Sequence, residues 1–263
     1  TPNASNLSVG YLAGNGNTST NVCIGNSSGT AISTATSSVM IGHSSGLAST
    51  TSNLSTFVGF EAAKANITSL NNTAIGAQAL LNYSGTPANN TAIGYRSMYN
   101  TTTFATGGVN TAVGASSMIT CSGTANTGIG STCGNGLTSG SNNVFAGNNT
   151  QCASTSSSNT ILGKGANSQY DSCVCLGALS TSTASNQIML GTSSQTVYCP
   201  NLAGSGNRSV YADPNGALTI SASDASLKKN INYLTDSACL NLLDGLKPVS
   251  FNWNHDVNSI NLV

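Results

Sequence analysis

The stretch Asn72-Thr73-Ala74-Ile75-Gly76 recurs along the chain and decides its fold. It returns as NTAIG at residues 90–94 and as NTAVG at residues 110–114. Looser copies read NVCIG at residues 21–25, NTILG at 159–163 and QIMLG at 187–191. Self-similarity of this kind indicates a repeat architecture, in which each copy is one structural unit stacked on the next.

A glycine ends each of eleven copies. The residue three positions before it is always β-branched, and the residue directly before it is always apolar. These positions share one face of a strand, so we expect one short strand per copy with these residues on its inner face. The glycine itself predicts a positive φ or a close backbone approach at a turn. The repeat glycines are Gly25, Gly42, Gly59, Gly76, Gly94, Gly114, Gly130, Gly147, Gly163, Gly177 and Gly191.

The spacing of these glycines, between 14 and 20 residues, excludes a helical solenoid. The segments between strands are rich in Ser, Thr, Asn and Gly, and the residue three positions after each glycine is always small. We therefore predict an all-β fold, a parallel β-solenoid of about eleven coils in which each strand pairs with its counterpart in the next coil. At about 4.8 Å per strand, the coils form a rod about 50 Å long.

The middle residue of the strand is also often apolar, as at Met40, Phe57 and Phe145. On this assignment of the faces it points away from the coil interior. Two apolar faces on so thin a coil predict a second partner surface, most simply a homo-oligomer of the chain.

Composition limits the function classes. Charged residues make up 5% of the chain, against about a quarter in an average protein, and the formal net charge is zero. There is no basic patch, so we expect no nucleic-acid partner. No apolar run approaches about 18 residues, so we expect no membrane insertion.

Few residues are suited to catalysis or metal binding. Before Tyr211 the only carboxylates are Glu61 and Asp171, which lie seven coils apart, whereas glycosidases need a close pair. The two histidines are isolated, and the eight cysteines lack zinc-site spacing. We expect no metal and no cofactor, and the cysteines leave a disulfide between coils or between subunits open.

The repeat unit resembles known fibre repeats. Its form NTAIGxx(A/S)(L/M), seen at residues 72–80, 90–98 and 110–118, is similar to repeats in the heads of trimeric autotransporter adhesins. It is still more similar to repeats of phage and viral tail-fibre proteins that end in an intramolecular chaperone. This resemblance covers residues 9–195 and implies a left-handed parallel β-roll and a homotrimer.

The C-terminal segment resembles the start of the chaperone domain of endosialidase tail spikes. Residues 223–231 read SDASLKKNI. Leu240, Leu243, Leu246 and Trp253 follow, at positions similar to those in the chaperone family. The resemblance implies that this segment folds the trimer and that Ser223 and Lys228 form a self-cleaving dyad. Ser226 stands where the family carries Arg, which disfavours cleavage. A lysine serves as the base for a serine only if its pKa is lowered, to which Lys229 could contribute. The alternative role of Ser223 is a helix N-cap.

Charge marks the domain boundary, because eight of the fourteen charged residues lie in the last 53 positions. With the turn signal DPNG at residues 213–216, this predicts a solenoid shaft or head at 1–200 and a connector at 201–222. Residues 223–263 are predicted to be an incomplete, small α+β chaperone segment.

Three functions remain open. The first is a structural or adhesive homotrimeric fibre on a virion, a tail fibre or surface appendage, which contacts other virion components and a host receptor or glycan. The second is a bacterial surface adhesin or extracellular filament. The third is ice binding by the threonine column, which a flat array facing solvent would favour. All three place the protein at a virion surface or outside the cell, and we expect no enzyme beyond single-turnover self-cleavage. A ligand is expected near Tyr83, Tyr95, Tyr99 and Phe104.

Overall fold

The computed structural model describes residues 6–16, 20–68, 70–83, 89–99, 108–198, 210–212 and 218–220. The chain divides into two compact units, Thr1–Val197 and Tyr198–Val263. In the described ranges the regular structure is β throughout, in short strands. The strands are β1 (Leu7–Val9), β2 (Val22–Ile24), β3 (Val39–Ile41), β4 (Thr56–Val58), β5 (Thr73–Ile75), β6 (Thr91–Ile93), β7 (Thr111–Val113), β8 (Thr127–Ile129), β9 (Val144–Ala146), β10 (Gln151–Cys152), β11 (Thr160–Leu162), β12 (Asn167–Ser168), β13 (Val174–Leu176), β14 (Ile188–Leu190), β15 (Val210–Ala212) and β16 (Leu218–Ile220).

Twelve of these strands form one parallel sheet in the order of the chain, with β10 and β12 set apart in a second small sheet. Neighbouring strands pair residue for residue, so that Thr73, Ala74 and Ile75 lie beside Thr91, Ala92 and Ile93. The predicted parallel β-solenoid is therefore confirmed. The structure adds one rung, β1 followed by Gly10, which the sequence pattern missed because Leu7 is not β-branched.

The faces of the strand are the reverse of the prediction. The middle residue points into the coil and is fully buried in nearly every rung, whereas its two neighbours face outward and are partly exposed. The prediction that the β-branched residues form the inner face, and that the middle residue points away, was wrong. The buried middle residues are Cys23, Met40, Phe57, Ala74, Ala92, Ala112, Phe145, Ile161 and Cys175.

The limited space inside one coil explains this arrangement. The interior is also filled from the turn after the glycine, where Leu80, Met98 and Met118 are fully buried. These three large residues belong to coils whose strand carries alanine in the middle. Where the strand carries Met40, the turn instead has Gly46, whose added Cβ would lie 2.6 Å from the Met40 sulfur. A large residue from the strand and one from the turn do not both fit in a coil.

The repeat glycines form the corner that follows each strand. From Gly25 to Gly147 their φ angles lie between 128° and 137°, a region closed to residues with a side chain. An added Cβ at Gly76 would also lie 2.6 Å from the carbonyl oxygen of Gly94 in the next coil. Both expected reasons for the glycine, backbone conformation and close approach, hold at these corners.

Left-handed residues turn the chain elsewhere in each coil. The second residue after the corner glycine has φ near 55°, as at Ser27, Glu61 and Arg96. A second such residue lies two positions before the strand, as at Asn71 and Val109. Residues other than glycine adopt this conformation at a cost of about 1 kcal/mol or more, so the coil geometry outweighs local preference at many positions.

In the second unit, β15 and β16 pair antiparallel. The turn signal DPNG at residues 213–216 lies between them, so the predicted connector contains a hairpin. The predicted α+β chaperone segment at 223–263 lies outside the described residues. No helix in the described part of the chain is long and apolar enough to cross a bilayer.

Candidate interaction surface

The outward side of the twelve-stranded sheet, called here the outer face, consists of the first and last residues of every strand. The last residue is aliphatic in every rung, and Ile75, Ile93 and Ile129 are 39%, 36% and 52% exposed. The strands are in register, so these side chains form one continuous apolar column along the sheet. An uninterrupted exposed apolar column of this length marks an interaction surface.

A second column on the outer face is made by the first residue of each strand. Five consecutive rungs carry threonine there, all partly exposed and stacked in register: Thr56, Thr73, Thr91, Thr111 and Thr127. Valine or isoleucine replaces threonine toward both ends, at Val22, Val144 and Ile188. The outer face therefore combines a hydroxyl-bearing column with an aliphatic one, and both repeat from rung to rung.

Buried asparagines fix each rung to the next directly behind this face. The residue before the strand is asparagine in six consecutive rungs, from Asn72 to Asn159, and each is at most 1% exposed. The Asn90 Oδ1 atom accepts hydrogen bonds from the backbone N–H and from Nδ2 of Asn110, at 3.0 and 3.2 Å. The Asn110 Nδ2 atom also donates to the Gly123 carbonyl at 2.8 Å, which ties the strand to the turn of its own coil.

Buried amides that satisfy each other in this way hold the rungs rigid. Sequence reasoning treated these asparagines as part of the motif without giving them a role. Their recurrence four positions before six successive glycines was the signal. The stack of buried asparagines from Asn72 to Asn159, called here the asparagine ladder, ends at Asn159. The Asn159 Oδ1 atom accepts a hydrogen bond from the Cys173 backbone N–H at 2.8 Å. The Asn159 Nδ2 atom has no hydrogen-bond partner there, where the glycine spacing falls from 16 to 14 residues.

A different edge of the solenoid carries most of its charge and several of its exposed rings. This edge, called the polar–aromatic ridge, consists of Phe60, Glu61, Lys64, Gln78, Tyr95, Arg96 and Tyr99. They lie in the turns that follow Gly59, Gly76 and Gly94, so they belong to three successive coils.

Hydrogen bonds link the ridge from coil to coil. Lys64 Nζ donates to Glu61 Oε1 at 2.7 Å, and Gln78 Nε2 donates to Glu61 Oε2 at 3.0 Å. Arg96 Nε donates to Gln78 Oε1 at 2.8 Å. The bonds from Lys64 and Gln78 hold the pKa of the Glu61 carboxyl below its usual value, so this group stays ionised near neutral pH.

Aromatic contacts complete the ridge. The Arg96 guanidinium lies 5.1 Å from the ring centre of Tyr95 and 4.9 Å from that of Tyr99. One coil before Glu61, His43 stacks on Phe60 with ring centres 5.5 Å apart. Phe60 and Tyr95 are each about half exposed. The arginine is thus held between rings on a surface open to solvent.

The aromatic residues expected near a ligand lie in different parts of the structure. Tyr95 and Tyr99 meet on the ridge, whereas Tyr83 is fully buried and its hydroxyl accepts from Asn90 Nδ2. Tyr83 is a core residue because it fills a coil whose strand carries only Ala74. Phe104 lies outside the described residues, as do Ser223 and Lys228.

The cysteines of the described shaft are unpaired and buried: Cys23, Cys121, Cys133, Cys152, Cys173 and Cys175. Burial raises the pKa of the Cys23, Cys121 and Cys152 thiols to about 11. Burial alone would also raise the pKa of Cys173, but hydrogen bonds with the Gln187 backbone and with Ser168 and Ser182 bring it below its ordinary value. In the described ranges no three His, Cys, Asp or Glu side chains lie close enough to hold a metal ion.

Comparison with known proteins gives one family. Residues 223–261 match the family described as chaperone of endosialidase, which confirms the resemblance seen at the C-terminal segment. Among solved structures, the collagen-binding domain of the Yersinia adhesin YadA is 14% identical, over 92% of this chain and 99% of that chain, with a TM-score of 0.33. No curated protein sequence matches the chain.

Proposed function

We propose that the protein is a structural and adhesive fibre in which three copies pack through the outer face. The observation that carries this proposal is the continuous exposed column of aliphatic residues on the outer face. On a water-soluble rod, such a column is stable when it is covered by an equally regular surface. Another copy of the same chain has that regularity, because its rungs repeat at the same spacing.

The outer face is long and narrow. Twelve strands at about 4.8 Å each, with three residues of about 3.3 Å, give a face about 55 Å long and about 10 Å wide. Specific interfaces bury about 800 Å² on each partner, so the turns that border the strands complete the contact area. A trimer lets every subunit contact two others along one common axis.

The match at residues 223–261 supports a trimer that needs help to assemble. Successive rungs are nearly identical, so two chains can pair with a shift of one whole rung and still bring threonine against threonine and isoleucine against isoleucine. A folding nucleus at one end removes this ambiguity by fixing the first rung. A C-terminal segment of the chaperone type is suited to that role.

We place the fibre on a virion, as a tail fibre or surface appendage, because the chaperone-type segment follows the repeats directly. The alternative is a bacterial adhesin or extracellular filament. Immunogold labelling with an antibody to the shaft distinguishes the viral assignment from the bacterial one. Label on purified particles that contain nucleic acid and capsid is expected, whereas label confined to bacterial envelopes would contradict the viral assignment.

Self-cleavage at Ser223 belongs to this proposal. Ser223 Oγ would attack the carbonyl carbon of Ala222 while Lys228 accepts the hydroxyl proton, and the Ala222–Ser223 C–N bond would break as that proton passes to the Ser223 amine. Water would then hydrolyse the resulting ester and release the shaft from the chaperone segment. Intact-mass spectrometry of the purified chain, the Ser223→Ala variant and the Lys228→Met variant tests it. Cleavage in the unchanged chain alone is expected. An uncut unchanged chain would contradict self-cleavage.

Ice binding is the second candidate, because the structure places the threonine column on the outer face and not inside the coil. Stacked threonines in register can order water. The neighbouring column is aliphatic, however, and this pattern favours packing against another chain. Thermal hysteresis measured on the purified chain distinguishes the two functions, and we expect none.

A further inference from the structure

The ridge residues are not required by the fold, and the repeat itself shows this. The first and second positions after the repeat glycine carry Phe60 and Glu61, or Tyr95 and Arg96, on the ridge. The equivalent positions in several other coils carry small polar residues or alanine, and these coils have the same backbone angles. Examples are Asn26 and Ser27, Ala115 and Ser116, and Ser131 and Thr132.

The ridge also concentrates rare residues. The whole chain has only fourteen charged residues, and six of them precede Tyr211. Three of those six, Glu61, Lys64 and Arg96, lie in three successive coils together with three partly exposed rings. This combination of charges and exposed rings in three successive coils indicates a surface for contact with something other than another rung.

The charges leave one cation unbalanced. The Glu61 carboxylate is neutralised by Lys64, and both of its oxygens already accept hydrogen bonds. Arg96 uses Nε toward Gln78, and its two Nη atoms have no hydrogen-bond partner among the described residues. The free edge of the guanidinium is the fork that binds a carboxylate through two parallel hydrogen bonds.

Arg96 is already held in position for such a contact. Gln78 fixes one end of the guanidinium, and Tyr95 and Tyr99 support it. Holding a long side chain in place beforehand lowers the entropy that binding would otherwise cost. The half-exposed rings of Tyr95 and Phe60 stand two rungs apart, about 10 Å along the sheet.

We propose that the polar–aromatic ridge binds a saccharide that carries a carboxylate, with the acid group on the Nη edge of Arg96. The apolar faces of neighbouring sugar rings lie on Tyr95 and Phe60, and Gln78 and Glu61 face their hydroxyls. An extended saccharide fits because the ridge runs along the rod without a deep pocket. This proposal rests on the adhesive function proposed above, for which it names the ligand class.

The test is binding of the full chain to a glycan array that carries carboxylated saccharides and the same saccharides with the acid reduced to an alcohol. We expect binding to at least one carboxylated glycan and a loss of about tenfold or more when its acid is reduced. Arg96→Gln should cause a loss of similar size, since it removes a charge-assisted bidentate contact. Tyr95→Ala should weaken binding as well.

Lys164→Gln is the matched control, because Lys164 occupies the first position after Gly163 on an exposed part of the shaft far along the chain from the ridge. It removes the same charge and should leave binding unchanged. Equal losses in Arg96→Gln and Lys164→Gln would show only a general charge effect and overturn the site. Absence of binding to every carboxylated glycan, or equal binding to the reduced forms, would also overturn it.

The oligomeric mass of the same samples separates this proposal from the fibre function. A trimer that binds no glycan leaves the fibre in place and refutes the ridge as a saccharide site. A monomer that binds a carboxylated glycan through Arg96 supports the ridge and refutes the trimer. Circular dichroism confirms that each variant keeps the solenoid.

Discussion

The two faces of the same three-residue strand follow opposite rules. The inner position ranges in size from Gly128 through Ala92 to Phe57 and Phe145, yet every coil closes. The outer positions vary little, with threonine or an aliphatic residue first and an aliphatic residue last. The inner face is varied because each coil fills its own interior from strand and turn. The outer face is uniform, which is expected if what covers it repeats with the same spacing.

A charge placed on the inner face has the largest expected effect. Ala92→Asp buries a carboxylate with no partner in a coil filled by Met98, which should cost more than about 4 kcal/mol and unfold the central rungs. Circular dichroism and thermal melting measure the loss. The control is Ala115→Asp, an exposed alanine in a turn, which should melt within about 0.5 kcal/mol of the unchanged chain. A fully folded Ala92→Asp would contradict the burial of this column.

The same charge on the outer face should disrupt assembly of the trimer without unfolding the chain. The double variant Ile75→Asp/Ile93→Asp places two carboxylates in the exposed aliphatic column. Repulsion and desolvation across the interface should convert trimer to monomer while β-structure is retained. Sedimentation velocity gives the mass and circular dichroism the fold. If the variant stays trimeric, the subunits meet elsewhere.

If strand and turn share the interior of one coil, a cavity made by shortening the turn residue should be filled by enlarging the strand residue. Met98→Ala removes a fully buried side chain from a coil whose strand contributes only Ala92, at an expected cost of about 2–5 kcal/mol. Adding Ala92→Leu to Met98→Ala should recover part of that loss, because the new side chain enters the vacated volume. Urea unfolding of the single and double variants measures both. Ala92→Leu alone should destabilise by overpacking, and a neutral result there would disprove the compensation.

Removing one amide from the asparagine ladder should cost less than the cavity. Asn110→Ala leaves the Gly123 carbonyl and the Asn126 N–H without their buried partner, and we expect a loss of about 2 kcal/mol. Amide hydrogen exchange should quicken at Asn126 and in the adjoining rungs. Asn148→Ala, in an exposed turn, is the control and should change neither stability nor exchange.

The smallest expected effect is a gain. Val109 is β-branched, 63% exposed and held at a φ of 63°. Val109→Asn should raise stability by about 0.5–1 kcal/mol, because asparagine tolerates this conformation and little packing is lost. Val197→Asn, equally exposed but outside the left-handed positions, should change nothing. A stability loss at Val109 would mean that the side chain is covered in the assembly.

The repeat order, the corner glycines and the parallel in-register sheet could be predicted from sequence because each follows from periodicity. The choice of face could not be made from the regular apolar column alone, since Ile93 is as regular as a core residue although it faces outward. Two signals pointed the other way. Asn90 and Ala92 lie at alternate positions before Gly94, on one side of the strand. The turn carries a large residue where the middle residue is small, as for Met98 with Ala92, and glycine where it is large, as for Gly46 with Met40.

Only part of the polar–aromatic ridge could be predicted from the sequence. The sequence predicts a ligand near Tyr83, Tyr95 and Tyr99 alike, but Tyr83 is fully buried in a coil that has room for it. The partnership of Arg96 with Gln78, 18 residues away, depends on the exact length of one coil. Coil lengths vary between 14 and 20 residues, and small differences in turn geometry decide which side chains of adjacent coils meet.

Light scattering coupled to size-exclusion chromatography is the most direct test of the proposed trimer, because it gives the mass of the assembly without reference to its shape. For the Ser223→Ala variant, which cannot cleave itself, we predict a single species of about 79 kDa, three times the 26.2 kDa of one chain, that persists on dilution. A stable species of 26.2 kDa with an intact β-sheet spectrum would contradict it, because the outer face would then be open to water.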